Sequence, residues 1–297
     1  MRRFERINNV VEPVEEYKPG GYHPVHLGDV FHERYEIIGK WSYGQFSTRD
    51  VTLKILKATA SEKSKELSTF AQLSQTQHPG KKHVLSLLDH FKHNGPNGPH
   101  LCLVFPSMLS DGQVMTSRRT ARICWLPVIE ADSSAPEYLM VSQRPFGMLH
   151  DADGSCLTVE IGDLGGAFQA NDKDSRPVTP FAMKAPEQFD GRPLDNKIDI
   201  WALGCLLFQF AINEPLFSVM TLGCTEKQCR EVLRDLVTQV VGNGYVNFAV
   251  HVGERLESDF DGENTEQFAQ FLWSMLQHDP QDRPSASELL KHLFLHC

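Results

Sequence analysis

Lys54 lies in Val51-Thr-Leu-Lys-Ile-Leu, whose alternation and β-branched residues predict a strand, and Glu66 lies in the following segment, which reads as a helix. A strand lysine held by a helix glutamate offers a fixed positive charge to phosphate oxygens. Taken singly, each also reads as an ordinary solvated side chain, because Lys and Glu are mostly exposed. Asp163-Leu-Gly follows a second strand-like run, Leu157-Thr-Val-Glu-Ile. Ala185-Pro-Glu, Asp199-Ile-Trp-Ala-Leu-Gly-Cys and Asp282-Arg-Pro come after it in that order. Any one of these strings is common by chance; four in sequence behind a Lys/Glu pair form a pattern.

The elements that must position these residues are legible in outline. Residues 1–34 are polar, and Pro13, Pro19, Gly20, Gly21 and Pro24 prevent a long helix, which predicts an extended arm. Residues 35–106 predict a small sheet with one helix. Segments 35–39, 51–56, 84–88 and 100–105 read as strands, and the Gly/Pro/Asn cluster at 94–99 as a turn. The helix spans 61–77, with Ser61 as N-cap, an apolar stripe of Leu67, Phe70, Ala71 and Leu73, and Pro79-Gly80 beyond its end. Residues 107–156 read as an irregular insert, since Pro127, Pro136 and Pro145 interrupt every helical window. After a strand at 157–161, residues 157–297 are mostly helical, with helices predicted at 198–210, 225–241, 265–276 and 285–293.

The net charge of −9, from 29 Lys and Arg against 38 Asp and Glu, repels phosphate backbones. Direct nucleic-acid binding is therefore not expected, and basic proteins are the expected partners. The apolar run at 200–212 contains Gln209 and falls short of the ~20 residues of a membrane span, so it predicts a buried helix and no membrane insertion. Seven cysteines without a CxxC pair read as reduced thiols, and the N-terminus has no secretory apolar run. The expected location is cytoplasmic and/or nuclear. The acidic segment 254–266 reads as a solvated loop able to meet a basic partner.

The ordered strings resemble a protein kinase domain. Gly20-Gly-Tyr-His-Pro-Val-His-Leu-Gly-Asp-Val-Phe, then Arg34-Tyr-Glu-Ile-Ile-Gly-Lys and Gly44-Gln-Phe-Ser-Thr, resemble the SR-protein kinase family in particular, as does Asp163-Leu-Gly-Gly-Ala. The resemblance spans about residues 15–296. It implies an α+β bilobal fold with a small, reduced β-rich N-lobe at 35–106 and a larger helical C-lobe at 157–297. It gives Lys54 to the ATP phosphates, Glu66 to Lys54, and Asp163 to Mg²⁺. Ser42 and Gly44 fall in the nucleotide roof, the Pro106 carbonyl and Met108 amide at the adenine hinge, and Phe105 at the back of the pocket. Phe105 reads equally well as a core residue at a strand end. Glu187 and Arg283 become a buried ion pair, and Asp199 the brace of the catalytic loop; these three are structural.

Two parts of the family pattern are missing. Phosphoryl transfer uses a His-Arg-Asp-x-x-x-x-Asn loop, whose Asp takes the hydroxyl proton and whose Asn holds a second Mg²⁺. Residues 106–163 contain no Asn, their one His is His150, and the nearest substitute base is Asp153, with Asp151 second. The strand that must precede Asp163 leaves no room for such a loop at ~3.3 Å per strand residue, so 150–153 reads as a surface turn. In the roof, nine residues separate Gly44 from Lys54, whereas two strands and a turn need about 12–14. One strand is predicted to be short or missing and 44–51 to be a tight link. Weak, metal-dependent ATP binding and lost phosphotransfer are the leading expectation. The alternatives are an active Ser/Thr kinase acting on Arg/Ser-rich proteins, and a non-catalytic interaction module.

Overall fold

The computed structural model describes residues 11–42, 45–48, 50–108, 125–127, 133–136, 138–140, 158–169, 177–219, 223–256 and 262–296. The chain divides into two compact units, one ending at Ala167 and the other beginning at Phe168. The first therefore takes in the Asp163 segment, beyond the boundary at 156 expected from the sequence.

The first unit is built on a five-stranded antiparallel sheet of order β3-β4-β5-β7-β6, comprising β3 Gly39–Ser42, β4 Gln45–Ser47, β5 Val51–Ile55, β6 Asp89–Gly95 and β7 Gly98–Pro106. A small hairpin of β1 Val30–Phe31 and β2 Tyr35–Glu36 precedes it. A separate pair, β8 Trp125–Pro127 and β9 Tyr138–Met140, is antiparallel. No strand is missing from the roof, which corrects the expected smaller sheet. The shortage of chain is absorbed by β4, which has three residues and still pairs on both edges. The link to β5 is a turn in which Thr48 N–H donates to the Val51 carbonyl at 3.0 Å. The Thr48 hydroxyl donates to that carbonyl at 2.9 Å and accepts the Val51 N–H at 3.2 Å.

Strand alternation sorts the side chains of β5 and β7 between two faces. Leu53, Ile55, Cys102 and Val104 join Val25, Phe31, Tyr35, Ile37, Phe46 and Phe91 in one core. Leu101, Leu103 and Phe105 point the other way, to Phe70, Leu67 and Leu164. The arm thus contributes core residues: Val11, Val14, Tyr17, Val25 and Phe31 are all buried, and residues 11–31 pack rather than extend freely.

The single helix expected at 61–77 is two, α1 Ala58–Lys63 and α2 Glu66–Gln75. Ser61 does not cap; its hydroxyl donates to the Lys57 carbonyl at 2.9 Å and accepts the Leu101 N–H at 2.8 Å. The chain breaks at Ser64, whose hydroxyl takes the Glu66 N–H at 3.2 Å. The strand expected at 84–88 reduces to one parallel bridge, Val84 to Ile161. The strand expected at 157–161 is likewise only that bridge within the described residues.

In the second unit, α3 Pro186–Asp190 and α4 Lys197–Ile212 are followed by α5 Glu226–Val240, α6 Tyr245–Gly253, α7 Gly262–Met275 and the short α8 Ala286–Leu289. The helix expected over 285–293 stops at 289, although Ser285 caps it by accepting the Glu288 N–H at 3.3 Å. Its core gathers Trp201, Cys205 and Phe208 of α4 with Leu233, Val237, Phe248, Phe268, Leu272 and Met275. α4 and α7 approach closely at Gly204, where a Cβ would stand 3.1 Å from the Leu276 side chain. No helix among the described residues is long and apolar enough to cross a membrane.

Candidate active site

Alternation places Lys54 on the α2 side of the sheet, between Leu53 and Ile55, which face the opposite core. Register sets it opposite Gln45 on β4 and Leu103 on β7. Glu66 opens α2 and is 1% exposed. Its carboxylate accepts from the Lys54 ammonium through both oxygens, at 2.9 and 3.0 Å. Asp163 Oδ1 accepts from the same ammonium at 2.6 Å. A buried carboxylate needs such a partner, and a two-oxygen grip on one cation is a strong way to supply it.

Burial pulls the Lys54 ammonium towards its neutral form, but the hydrogen bonds and charges of Asp163 and Glu66 outweigh this and hold its pKa above the ordinary lysine value. The cation is therefore fixed rather than titrating. Glu66 is sealed, whereas the Asp163 side chain is 75% exposed. Asp163 takes the left-handed conformation, φ 55° and ψ 56°, a region Asp tolerates better than most residues. A tight turn, Leu164–Gly166, follows it. At Gly165 a Cβ would lie 3.2 Å from Glu66 Oε2, so a small residue there lets the turn close onto the pair.

The other sequence candidates are distributed around this centre and beyond it. Ser42 ends β3 and pairs in register with Gln45. Gly44 lies outside the described residues. Pro106 ends β7 opposite Val51, and Met108 is half-buried just past it. Phe105 is 5% exposed and packs on Phe70 with ring centroids 5.3 Å apart. His150, Asp151 and Asp153 lie outside the described residues.

Glu187, Asp199 and Arg283 belong to the second unit. α3 starts with Pro186, whose missing N–H costs nothing there, and the Gln188 side chain accepts the Ala185 N–H at 2.7 Å. This short helix buries Glu187 against Arg283, with N–O distances of 2.6 and 2.8 Å. Asp199, in the first turn of α4, is exposed. Leu203 and Phe210, on the same stripe of α4, are also exposed, at 39% and 38%.

Sequence reasoning missed the contribution of the arm. Gly20 and Gly21 offer their carbonyls to the first N–H groups of α1, next to α2. The adjacent glycines read as helix breakers and as the start of a family string, and nothing local announced what their carbonyls meet.

The protein kinase domain family profile matches residues 145–295, about half the chain. The serine/threonine-protein kinase SRPK of Physarum polycephalum is 23% identical over 394 aligned residues, covering 96% of this chain and 91% of that protein. That alignment is longer than the chain, so the relative carries residues with no counterpart here. Protein kinase dsk1 of Schizosaccharomyces pombe is 38% identical over 117 residues, 34% of this chain and 22% of that protein. SRSF protein kinase 3 of Homo sapiens is 36% identical over 109 residues, 31% of this chain and 19% of that protein.

Proposed function

This chain belongs to the protein kinase domain family, and from that premise we propose that its first unit holds Mg-ATP weakly while transfer of phosphate to a protein hydroxyl has been lost. The observation that carries the reading is the three-way contact of Lys54, Glu66 and Asp163. A lysine fixed by a helix glutamate is what meets the nucleotide phosphates in kinases, with an aspartate on the metal.

The donor set fits magnesium in a limited way. Mg²⁺ is commonly held by one or two carboxylates together with substrate phosphates, and the exposed carboxylate of Asp163 meets that minimum. No group of three or more His, Cys, Asp or Glu side chains suited to a metal occurs among the described residues. Asp163 would therefore hold the ion, which when bound neutralises phosphate charge. The three-residue β4 gives a short roof with few backbone N–H groups for phosphate, which supports weak binding.

Loss of transfer is supported by the missing Asn and the missing His-Arg-Asp string between residues 106 and 163. Removing a positioned general base typically costs about 10²–10⁴-fold, and loss of a metal ligand adds to it. Basic, Arg/Ser-rich proteins are the partners proposed, by similarity to the SR-protein kinases and by the acidic net charge. A cytoplasmic or nuclear location follows from the same similarity.

A second reading, an active Ser/Thr kinase, is favoured by the assembled Lys54–Glu66 pair, which active kinases require. Thermal-shift titration with Mg-ATP and radiolabelled transfer to an Arg/Ser peptide decide the matter. The expected result is a small stabilisation that disappears in Lys54→Met and Asp163→Asn, with transfer at background. Stabilisation that persists in both variants would overturn the binding site. Transfer that vanishes in Asp163→Asn or Asp153→Asn would replace lost transfer by the second reading.

A further inference from the structure

Residues 12–22 are fastened to the first unit at several points. Glu12 accepts from the buried Lys40 ammonium of β3 and from the Tyr17 hydroxyl. Glu16 Oε2 accepts from Lys57 Nζ at 2.9 Å, and that ammonium stands 4.4 Å over the Tyr22 ring. The Gly20 N–H donates to the Asn97 carbonyl at 2.7 Å, and Asn97 Nδ2 donates to the Tyr22 carbonyl at 2.6 Å.

The attachment to α1 bears on the site. A helix begins with N–H groups that have no partner of their own, and the side chain of Lys57, at the N-cap position of α1, does not cap them. The Gly21 and Gly20 carbonyls accept the Ala58 and Thr59 N–H groups at 3.0 and 2.9 Å. The Thr59 hydroxyl adds a bond to Gly20 at 2.9 Å. The arm reaches this position through a turn that needs glycine, since a Cβ at Gly21 would lie 1.8 Å from the Glu16 carbonyl oxygen. On its other side α1 is pinned by Ser61 to Leu101. Only Ser64 and Lys65 separate α1 from Glu66.

We propose that residues 12–22 form a strap whose grip on the first turn of α1 sets the position of Glu66, making Glu16, Gly21 and Lys57 positioning residues for the Lys54–Glu66 pair. Its consequence for nucleotide rests on the Mg-ATP reading above; its structural part does not.

Hydrogen exchange of the whole chain and side-chain NMR of ¹⁵N-lysine-labelled protein at one fixed pH test it. In Gly21→Ala, exchange at residues 58–70 rises by about tenfold or more, exchange at 89–106 stays as in the parent, and the Lys54 side-chain ¹⁵N resonance moves because its buried carboxylate partner is displaced. Glu16→Gln moves both in the same direction, by about two- to threefold in exchange, and the exchanged pair Glu16→Lys with Lys57→Glu restores them. Faster exchange confined to 12–22, with residues 66–70 and the Lys54 resonance unmoved, would overturn the strap. If Gly21→Ala unfolds the unit, unchanged exchange at 66–70 and an unmoved Lys54 resonance in Glu16→Gln overturn it equally. A parent that gains no stability from Mg-ATP would sink the nucleotide reading while leaving the exchange and resonance results to judge the strap.

Discussion

Arg283 meets Glu187 in a two-point fork, at 2.6 and 2.8 Å, with both side chains at most 1% exposed. The guanidinium also donates from Nε to the Gln277 carbonyl at 2.8 Å, from Nη1 to Lys197 at 3.0 Å and from Nη2 to His278 at 3.4 Å. All its N–H donors are thereby used, and its Cζ lies over the Trp201 ring, 5.0 Å from the centroid. Removing one partner leaves the other charge buried, at a cost of ~3–5 kcal/mol. Arg283→Met and Glu187→Gln are each expected to lower the urea midpoint of the second unit strongly. The double variant should lose much less than the sum, and additivity would show that the fork is not a coupled unit.

Asp163→Asn should lower the Lys54 pKa. Burial is the largest influence on this ammonium and acts downward, while the bonds to Asp163 and Glu66 act upward. Taking away the Asp163 charge tips the balance towards burial. Titration by lysine side-chain NMR reads the change directly; an unmoved or raised value would contradict the 2.6 Å contact.

Gly165→Ala should destabilise the first unit by about 1–3 kcal/mol, the usual cost of overpacking. The added methyl would press on Glu66 Oε2 at 3.2 Å, and that carboxylate, sealed and gripped by Lys54, has nowhere to retreat. Chemical denaturation measures it. A neutral result would mean that the turn after Asp163 slides outward at no cost.

Acid should loosen the first unit through a histidine cluster. His23 on the arm packs edge-on against His93 of β6 and His100 of β7, with ring centroids 4.6 and 5.1 Å away. Burial, and then the neighbouring His93, His100 and His26, push His23 down to about 3. Burial also lowers His93 and His100, opposed by Asp29 at the first and by the Leu56 carbonyl at the second. Their folded pKa values lie below the unfolded one, so the unfolded chain binds more protons in between. Stability is thus present above pH ~6.5 and drains as pH falls towards each folded value, with a slope of up to ~1.4 kcal/mol per pH unit for each histidine. Denaturation midpoints between pH 7 and pH 4 should fall less steeply in His23→Phe; equal slopes would remove the cluster from the account.

Much of this was readable where one segment carries its own period. β7 shows an unbroken apolar run at 101–105 beside a turn cluster, and α4 a longer apolar run, so both fell near their predicted bounds. β6 was invisible because it is an edge strand of largely polar residues, with Phe91 alone buried. β4 was hidden by its brevity, since three residues cannot display a period. The break between α1 and α2 is made by the Ser64 hydroxyl and by the pull of β7 on Ser61, neither of which interrupts the apolar stripe. At the site, Lys54, Glu66 and Asp163 were marked by their strings, but the Glu12–Lys40 pairing joins residues 28 apart with no local signature.

The bond from Lys54 to Glu66 closes a loop of 12 residues, whereas the bond to Asp163 closes one of 109. Closure entropy grows only with the logarithm of length, and this difference amounts to about 2 kcal/mol. The glutamate is thus the cheaper partner for the lysine to close upon, and Asp163 the costlier one. The same logarithm makes the costlier contact tolerant of chain length: removing or adding some tens of residues between β7 and Ile161 changes its cost by only tenths of a kcal/mol. A chain that differs from its relatives by whole blocks can on this account still deliver Asp163 to Lys54.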